Sequence, residues 1–277
     1  MIKPSNLSVI ISTYNEPEWL EKAIWGYHTQ DNRNFTLIIA DDGSKYHTTE
    51  LIDRLRGETN LDILHIWHKD EGYQKCAILN KAVAAAKSDY VIFSDGDCIP
   101  RKDFVSVHLD HAEEGYFISG GTIRLPLALS RLINKDDILS QRCFSKDWLL
   151  ENGHDINPIK NLKLTTSHDF AKMLNKFTPA RKTWNGMNSS GWLKDIIKAN
   201  GFNENLQYGG QDREFGLRLN NLGIRAKQLR FSAICLHLEH ERSYKTQEAI
   251  MNNLKRRKEV IENKITTVEK GLNQYLK

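Results

Sequence analysis

Apolar and polar positions in the first third of the chain come in alternating blocks. Apolar-rich segments in residues 7–13 (LSVIIST), 35–44 (FTLIIADDGS), 61–69 (LDILHIWHK) and 89–97 (DYVIFSDGD) read as strands, the last with a buried core in Asp89 to Phe93. Between them lie segments with helical spacing. Residues 16–30 place Leu20, Ile24 and Tyr27 on one face, residues 47–58 do the same with Leu51 and Leu55, and residues 74–87 are alanine-rich. Strands alternating with helices of about 10–15 residues predict a mostly parallel sheet covered by helices. Ligands of such sheets sit beyond the carboxyl ends of the strands. Each predicted strand runs into polar residues there: Thr13 to Glu16, Asp41 to Ser44, His68 to Glu71, and Asp95 to Asp97. Parallel strands would therefore bring these acids to one crevice.

The second half is less regular. Residues 125–183 hold helical fragments and polar loops, with no chemistry legible in them. Residues 184–223 are dense in Gly, Asn and Trp, and residues 231–241 (FSAICLHLEHE) read as a further strand. From Thr246 onward, Ile250, Leu254, Ile261, Ile265, Val268, Leu272 and Leu276 recur at spacings of three, four and seven, which predicts one amphipathic helix. These patterns divide the chain into 1–110, 111–242 and 243–277.

Composition narrows the class. A net charge of +4 in 277 residues gives no case for nucleic acid. Cys76, Cys98, Cys143 and Cys235 are far apart, which favours a reducing compartment over a disulfide framework or a zinc knuckle. The first apolar run is too short for a leader or a membrane span, so a cytoplasmic protein is expected. The basic run Lys255 to Lys258 suits either the solvated face of a docked helix or a peripheral position on an anionic membrane.

Candidate chemistry sits at the strand ends. Asp95 and Asp97 are two like charges, which a divalent cation such as Mn²⁺ or Mg²⁺ would relieve; a solvated D-G turn is the plain alternative. Asp41 and Asp42 open a turn, or accept from a nucleobase or ribose. Glycine-rich phosphate loops are absent, so a phosphate would need a metal and basic side chains, with Lys75 after Gly72 a candidate. In YGGQDREFG, Asp212 is a helix-start charge or a general base aimed into a cleft. His237 and His240 are core residues or the completion of a metal site.

Taken in order, these segments resemble family 2 glycosyltransferases of the GT-A fold, from Leu7 to about Arg242. VIISTYNEPEWLEKAI resembles their opening strand and helix, IIADDGS their second-strand acid motif, and the stretch ending in SDGD their D-x-D metal motif. The second half resembles the galactosyltransferase-like and chondroitin-polymerase-like branch, with GGQD where that branch has G-G-E-D. The resemblance implies a Rossmann-like α/β sheet with an acceptor-side subdomain. It implies an inverting transfer from a UDP-sugar to a hydroxyl of a growing glycan, polysaccharide or lipid-linked, with Mn²⁺ or Mg²⁺. Asp212 would be the base, and Asp95, Asp97, His237 and His240 the metal site. Thr13, Tyr14, Asn15, Glu16, Asp41, Asp42, Gly72, Lys75, Asp95 and Gly96 would hold the nucleotide-sugar. Trp184, Asn188, Trp192, Tyr208, Gly209, Gly210 and Gln211 would face the sugars, although core packing explains Trp184, Trp192 and Tyr208 as well. A homo-oligomer through the C-terminal helix is a further expectation. A non-catalytic sugar-nucleotide or glycan-binding module, or a sugar nucleotidyltransferase, is the alternative.

Overall fold

The structure is a computed structural model that describes residues 4–154, 158–180, 183–240 and 246–276. The expected boundary at residues 242–243 lies outside the described residues. Eight strands form one sheet: β1 Leu7–Thr13, β2 Thr36–Asp41, β3 Asp62–Trp67, β4 Tyr90–Asp95, β5 Cys98–Pro100, β6 Tyr116–Arg124, β7 Asn188–Trp192 and β8 Arg225–His237. Their order is β3-β2-β1-β4-β7-β6-β8-β5. The first four are parallel, joined through α1 (Pro17–His28), α2 (Tyr46–Thr59) and α3 (Lys75–Ala85). Beyond β4 the sheet is mixed, with β7 antiparallel to β4 and β6, and β6 parallel to β8.

Both faces of β1, β2 and β4 are covered, so these strands are buried at consecutive positions rather than at alternate ones, whereas β3 at the sheet edge buries only Ile63. Val9, Ile11, Leu37, Ile39 and Ile92 pack with Leu20 and Ile24 of α1. Ile10, Ile38, Val91 and Phe93 point the other way, onto Ile78 and Leu79 of α3. The register puts Ser12 beside Asp95 and Thr13 beside Asp41, so the polar ends of β1, β2 and β4 form one line. Downstream, β5 pairs with β8, Cys98 opposite His237. That pairing carries Asp97 to the end of a strand about 140 residues later in the chain.

The β6–β8 ladder slips between Gly120 and Gly121, whose partners are Leu229 and Ile234, so residues 230–233 bulge out. A side chain at Gly121 would lie 2.0 Å from the Arg230 carbonyl, so this approach needs glycine. Asn188 staples the bulge, its amide donating to the Gly121 and Ala233 carbonyls at 2.8 and 3.0 Å.

The C-terminal expectation is corrected. The helix spans Gln247–Glu262 and stops, Lys264 adopting a φ of 52°. Its buried positions are Ala249, Asn253 and Val260, whereas Leu254 and Ile261 are exposed. Val268 and Leu272 are buried, but on the returning chain rather than on that helix. Arg256 and Arg257 turn inward, toward Glu214 and Gly210, so the basic run is only in part a solvent face. Among the described residues no helix is long and apolar enough to cross a membrane.

Candidate active site

At the end of β1, Asn15 has a φ of 52°, which turns the chain into α1 at Pro17. Its N–H donates to Ser44 Oγ and its Oδ1 accepts from the Lys45 N–H, locking the β1 and β2 ends together. Asp41 is fully buried, accepting from the Ser44 N–H and meeting His65 Nε2 at 2.9 Å. One of its oxygens is therefore spent on the turn and the other on β3. Asp42 meets His68 Nε2 at 2.7 Å and accepts from the Gln74 N–H. Lys81 lies 3.0 Å from His68 Nδ1, and since an ammonium can only donate, Nε2 carries the proton given to Asp42. Burial raises the Asp42 pKa, with His68 opposing. Tyr14 is exposed and donates to Asp70. Gly72 stands in open space, before Tyr73 and the start of α3.

Asp95 faces this crevice, its Oδ1 accepting from Ser12 Oγ at 2.8 Å and from Lys75 Nζ at 2.7 Å. Burial works against the Lys75 charge, but Asp95, Tyr73 and Asp97 together hold the amine protonated well above its ordinary range. The Gly96 N–H donates to the Ser12 carbonyl, fixing the turn between the two acids. Asp97 then meets His240 Nε2 at 2.9 Å and His237 Nε2 at 3.6 Å. One donor atom from each of these three residues lies within 4.8 Å of the others. A carboxylate and two imidazoles are a donor set that suits a divalent transition ion. Burial opposes the charge on Asp97, yet the two histidines hold its pKa well below the usual carboxylate range. Glu16 is within electrostatic reach of the cluster; burial raises its pKa, His240 opposes and Asp97 adds. The structure thus gathers Asp97, His237 and His240, with Asp95 turned to Lys75 one step away.

On the other side, Gly209 and Gly210 adopt φ of 118° and 97° and lead into helix Gln211–Asn221. Only glycine takes these angles without strain, and a side chain on Gly209 would also strike Ile250 of the C-terminal helix. Gln211 Nε2 donates to Tyr73 Oη, and Tyr73 meets Tyr208 edge-on, tying this turn to the start of α3. Asp212 Oδ1 accepts from the Arg213 N–H, and Oδ2 holds a long 3.3 Å bond from the Gly186 N–H. Its side chain stands in the wall of an open pocket of about 330 Å³.

Three expected sugar contacts are corrected. Trp192 is buried and pairs with Tyr90 at the start of β4, the end of the sheet opposite the crevice. Trp184 is fully buried among Phe93, Phe117 and Phe215, so it offers no free ring face, although it borders the pocket. Asn188 is the staple of the bulge. Sequence reasoning missed Tyr73 and His65, as well as the basic residues of the pocket, and had His68 only as one of the polar residues at a strand end; no local spacing marks their contacts.

Residues 8–177 match the profile described as Glycosyl transferase family 2. The chain is 30% identical over 245 residues to chondroitin synthase of Pasteurella multocida (strain Pm70), covering 79% of this chain and 24% of that protein. It thus spans about a quarter of that relative's length. Among solved structures, S. aureus TarS 1-349 in complex with UDP-GlcNAc superposes with a TM-score of 0.61 at 14% identity, over 98% of this chain and 69% of that one. Mannosyltransferase PcManGT from Pyrobaculum calidifontis, in complex with GDP-Man and Mn²⁺, gives 0.57 at 17%, over 88% and 59%. The fold is GT-A.

Proposed function

The chain belongs to glycosyl transferase family 2, and on that premise we propose that it is an inverting, metal-dependent transferase moving a hexose or N-acetylhexosamine from a UDP-sugar to a hydroxyl of a growing glycan. One observation carries this reading: Asp97, His237 and His240 converge beside the polar ends of β1, β2 and β4. The UDP-GlcNAc in the TarS structure supports UDP as the nucleotide, and the Mn²⁺ in the mannosyltransferase structure supports the cation.

In this reading Thr13 to Glu16 and the Asp42 turn hold the nucleoside, and Lys75 and Asp95 shape the floor under the diphosphate. A divalent cation held by Asp97, His237 and His240 supplies Lewis-acid neutralisation of that diphosphate. The acceptor hydroxyl oxygen attacks the anomeric carbon from the face opposite the diphosphate. Its proton passes to Asp212, the carbon–oxygen bond to UDP breaks, and UDP departs with the electron pair. Asp212 suits the role because one of its oxygens is held only by a long bond at the pocket wall.

The test is calorimetry of UDP with Mn²⁺ and again with EDTA, with GDP as the competing nucleotide. Tight binding that requires the ion and prefers UDP is expected. Equal binding in EDTA would remove the metal role, and failure of both nucleotides to bind would remove the transferase site.

A further inference from the structure

The pocket beyond Asp212 holds more positive charge than its surroundings balance. Arg124, Lys163, Arg213 and Arg230 line it, and Asp212 is the one acid among its described lining residues. The four cations come from four places: the end of β6, the turn at 162–164, the start of helix Gln211–Asn221 and the β8 bulge. Among the described residues none of them has a carboxylate partner. Lys163 Nζ donates to the Thr122 carbonyl at 2.7 Å and Arg230 to the Pro179 carbonyl at 3.1 Å, contacts that fix position without cancelling charge. Burial, and then repulsion from Arg230, lowers the Lys163 pKa.

Two neutral donors in the same wall are also unspent. Trp184 Nε1 and Gln228 Nε2 are buried without a hydrogen-bond partner, and the Trp184 side chain is fully buried. A buried donor left unpaired is costly, so this wall is unsatisfied in both charge and hydrogen bonding. One kind of ligand relieves both, a multidentate anion. The donor's own diphosphate does not fit that place, because no residue from the β1, β2 or β4 ends lines the pocket.

We propose that this pocket binds a carboxylate or phosphate group carried by the acceptor, next to the hydroxyl that attacks. The proposal rests on the reading of Asp212 as the base, which puts the acceptor on this side of the site.

The test titrates three probes into the full chain at saturating UDP and Mn²⁺. They are a hexasaccharide with a uronic acid in alternate units, the same oligosaccharide after reduction of its carboxyls to alcohols, and N-acetylglucosamine 1-phosphate. At least one anionic probe should bind about tenfold or more tightly than the neutral one, and which of the two does so tells carboxylate from phosphate. Arg230→Gln and Lys163→Gln should each remove most of that difference while UDP still binds in Mn²⁺. Arg124→Gln, on an exposed side chain at the end of β6, should reduce it as well and guards against a folding artefact. Equal binding of charged and neutral oligosaccharide, a difference that survives in the Lys163→Gln/Arg230→Gln double variant, or no binding of either anion would each overturn the proposal. Loss of UDP binding in the unmodified chain would instead sink the transferase reading itself, so the two failures are distinguishable.

Discussion

Asp212, the base of the proposed reaction, also stands in the pocket wall, so it offers the most direct single-residue test. Asp212→Asn keeps the size and the accepting oxygen but cannot take a proton. Transfer from UDP-sugar should fall by ~10²-fold or more, while UDP binding in Mn²⁺ stays as it was; a drop in UDP binding of similar size would make Asp212 a structural residue. At this scale the sequence was legible where chemistry clusters along the chain, as in the D-G-D turn and the His237–His240 pair. It was not legible where a side chain's role is set by what lies across the sheet. Asn188 and Trp192 have the composition of sugar contacts, yet one closes a bulge and the other packs on Tyr90. The four pocket cations share no spacing, because four separate elements deliver them.

Elements show the same division. β1 through β4 and α1 to α3 follow from apolar runs and helical spacing, most plainly in β1, β2 and β4, which are buried on both faces. The C-terminal helix departs from its periodicity because its docking face is polar. Asn253 donates to the Gln207 and Gly209 carbonyls, and Arg256 approaches Glu214. Glu214 in turn pairs with Arg218 inside the helix that begins at Gln211, both fully buried, Arg218 also donating to the Ala199 and Gly201 carbonyls. A buried charge that loses its partner is strongly destabilising. Glu214→Gln should therefore lower the unfolding free energy by about 3 kcal/mol, read from urea midpoints. Wild-type stability in that variant would mean that Arg218 is satisfied by the two carbonyls alone.

Across the whole molecule, the parallel half and the mixed half are joined by a chain of hydrogen bonds through the sheet centre. Tyr90 of β4 meets Ser190 of β7 at 2.8 Å, Ser190 meets His108 Nδ1 at 2.7 Å, and His108 Nε2 meets Asn188 Oδ1 at 3.1 Å. The Asn188 amide nitrogen is spent on the bulge, so its oxygen must accept, and His108 is a neutral Nε2–H tautomer. Burial pushes the His108 pKa down to about 3, whereas in the unfolded chain it sits near the ordinary histidine value of about 6.5. Between those values the unfolded state binds the extra proton. The stability contributed by the neutral ring is thus complete above about pH 6.5 and is lost as pH falls through that window. From pH 7 to pH 5 this one group should account for roughly 2 kcal/mol of lost stability. His108→Gln has no proton to gain, so its urea midpoint should fall less over that interval, even if its stability at pH 7 is lower. Identical pH 5 to pH 7 differences in the two proteins would show that His108 titrates in the native state as it does in the unfolded one.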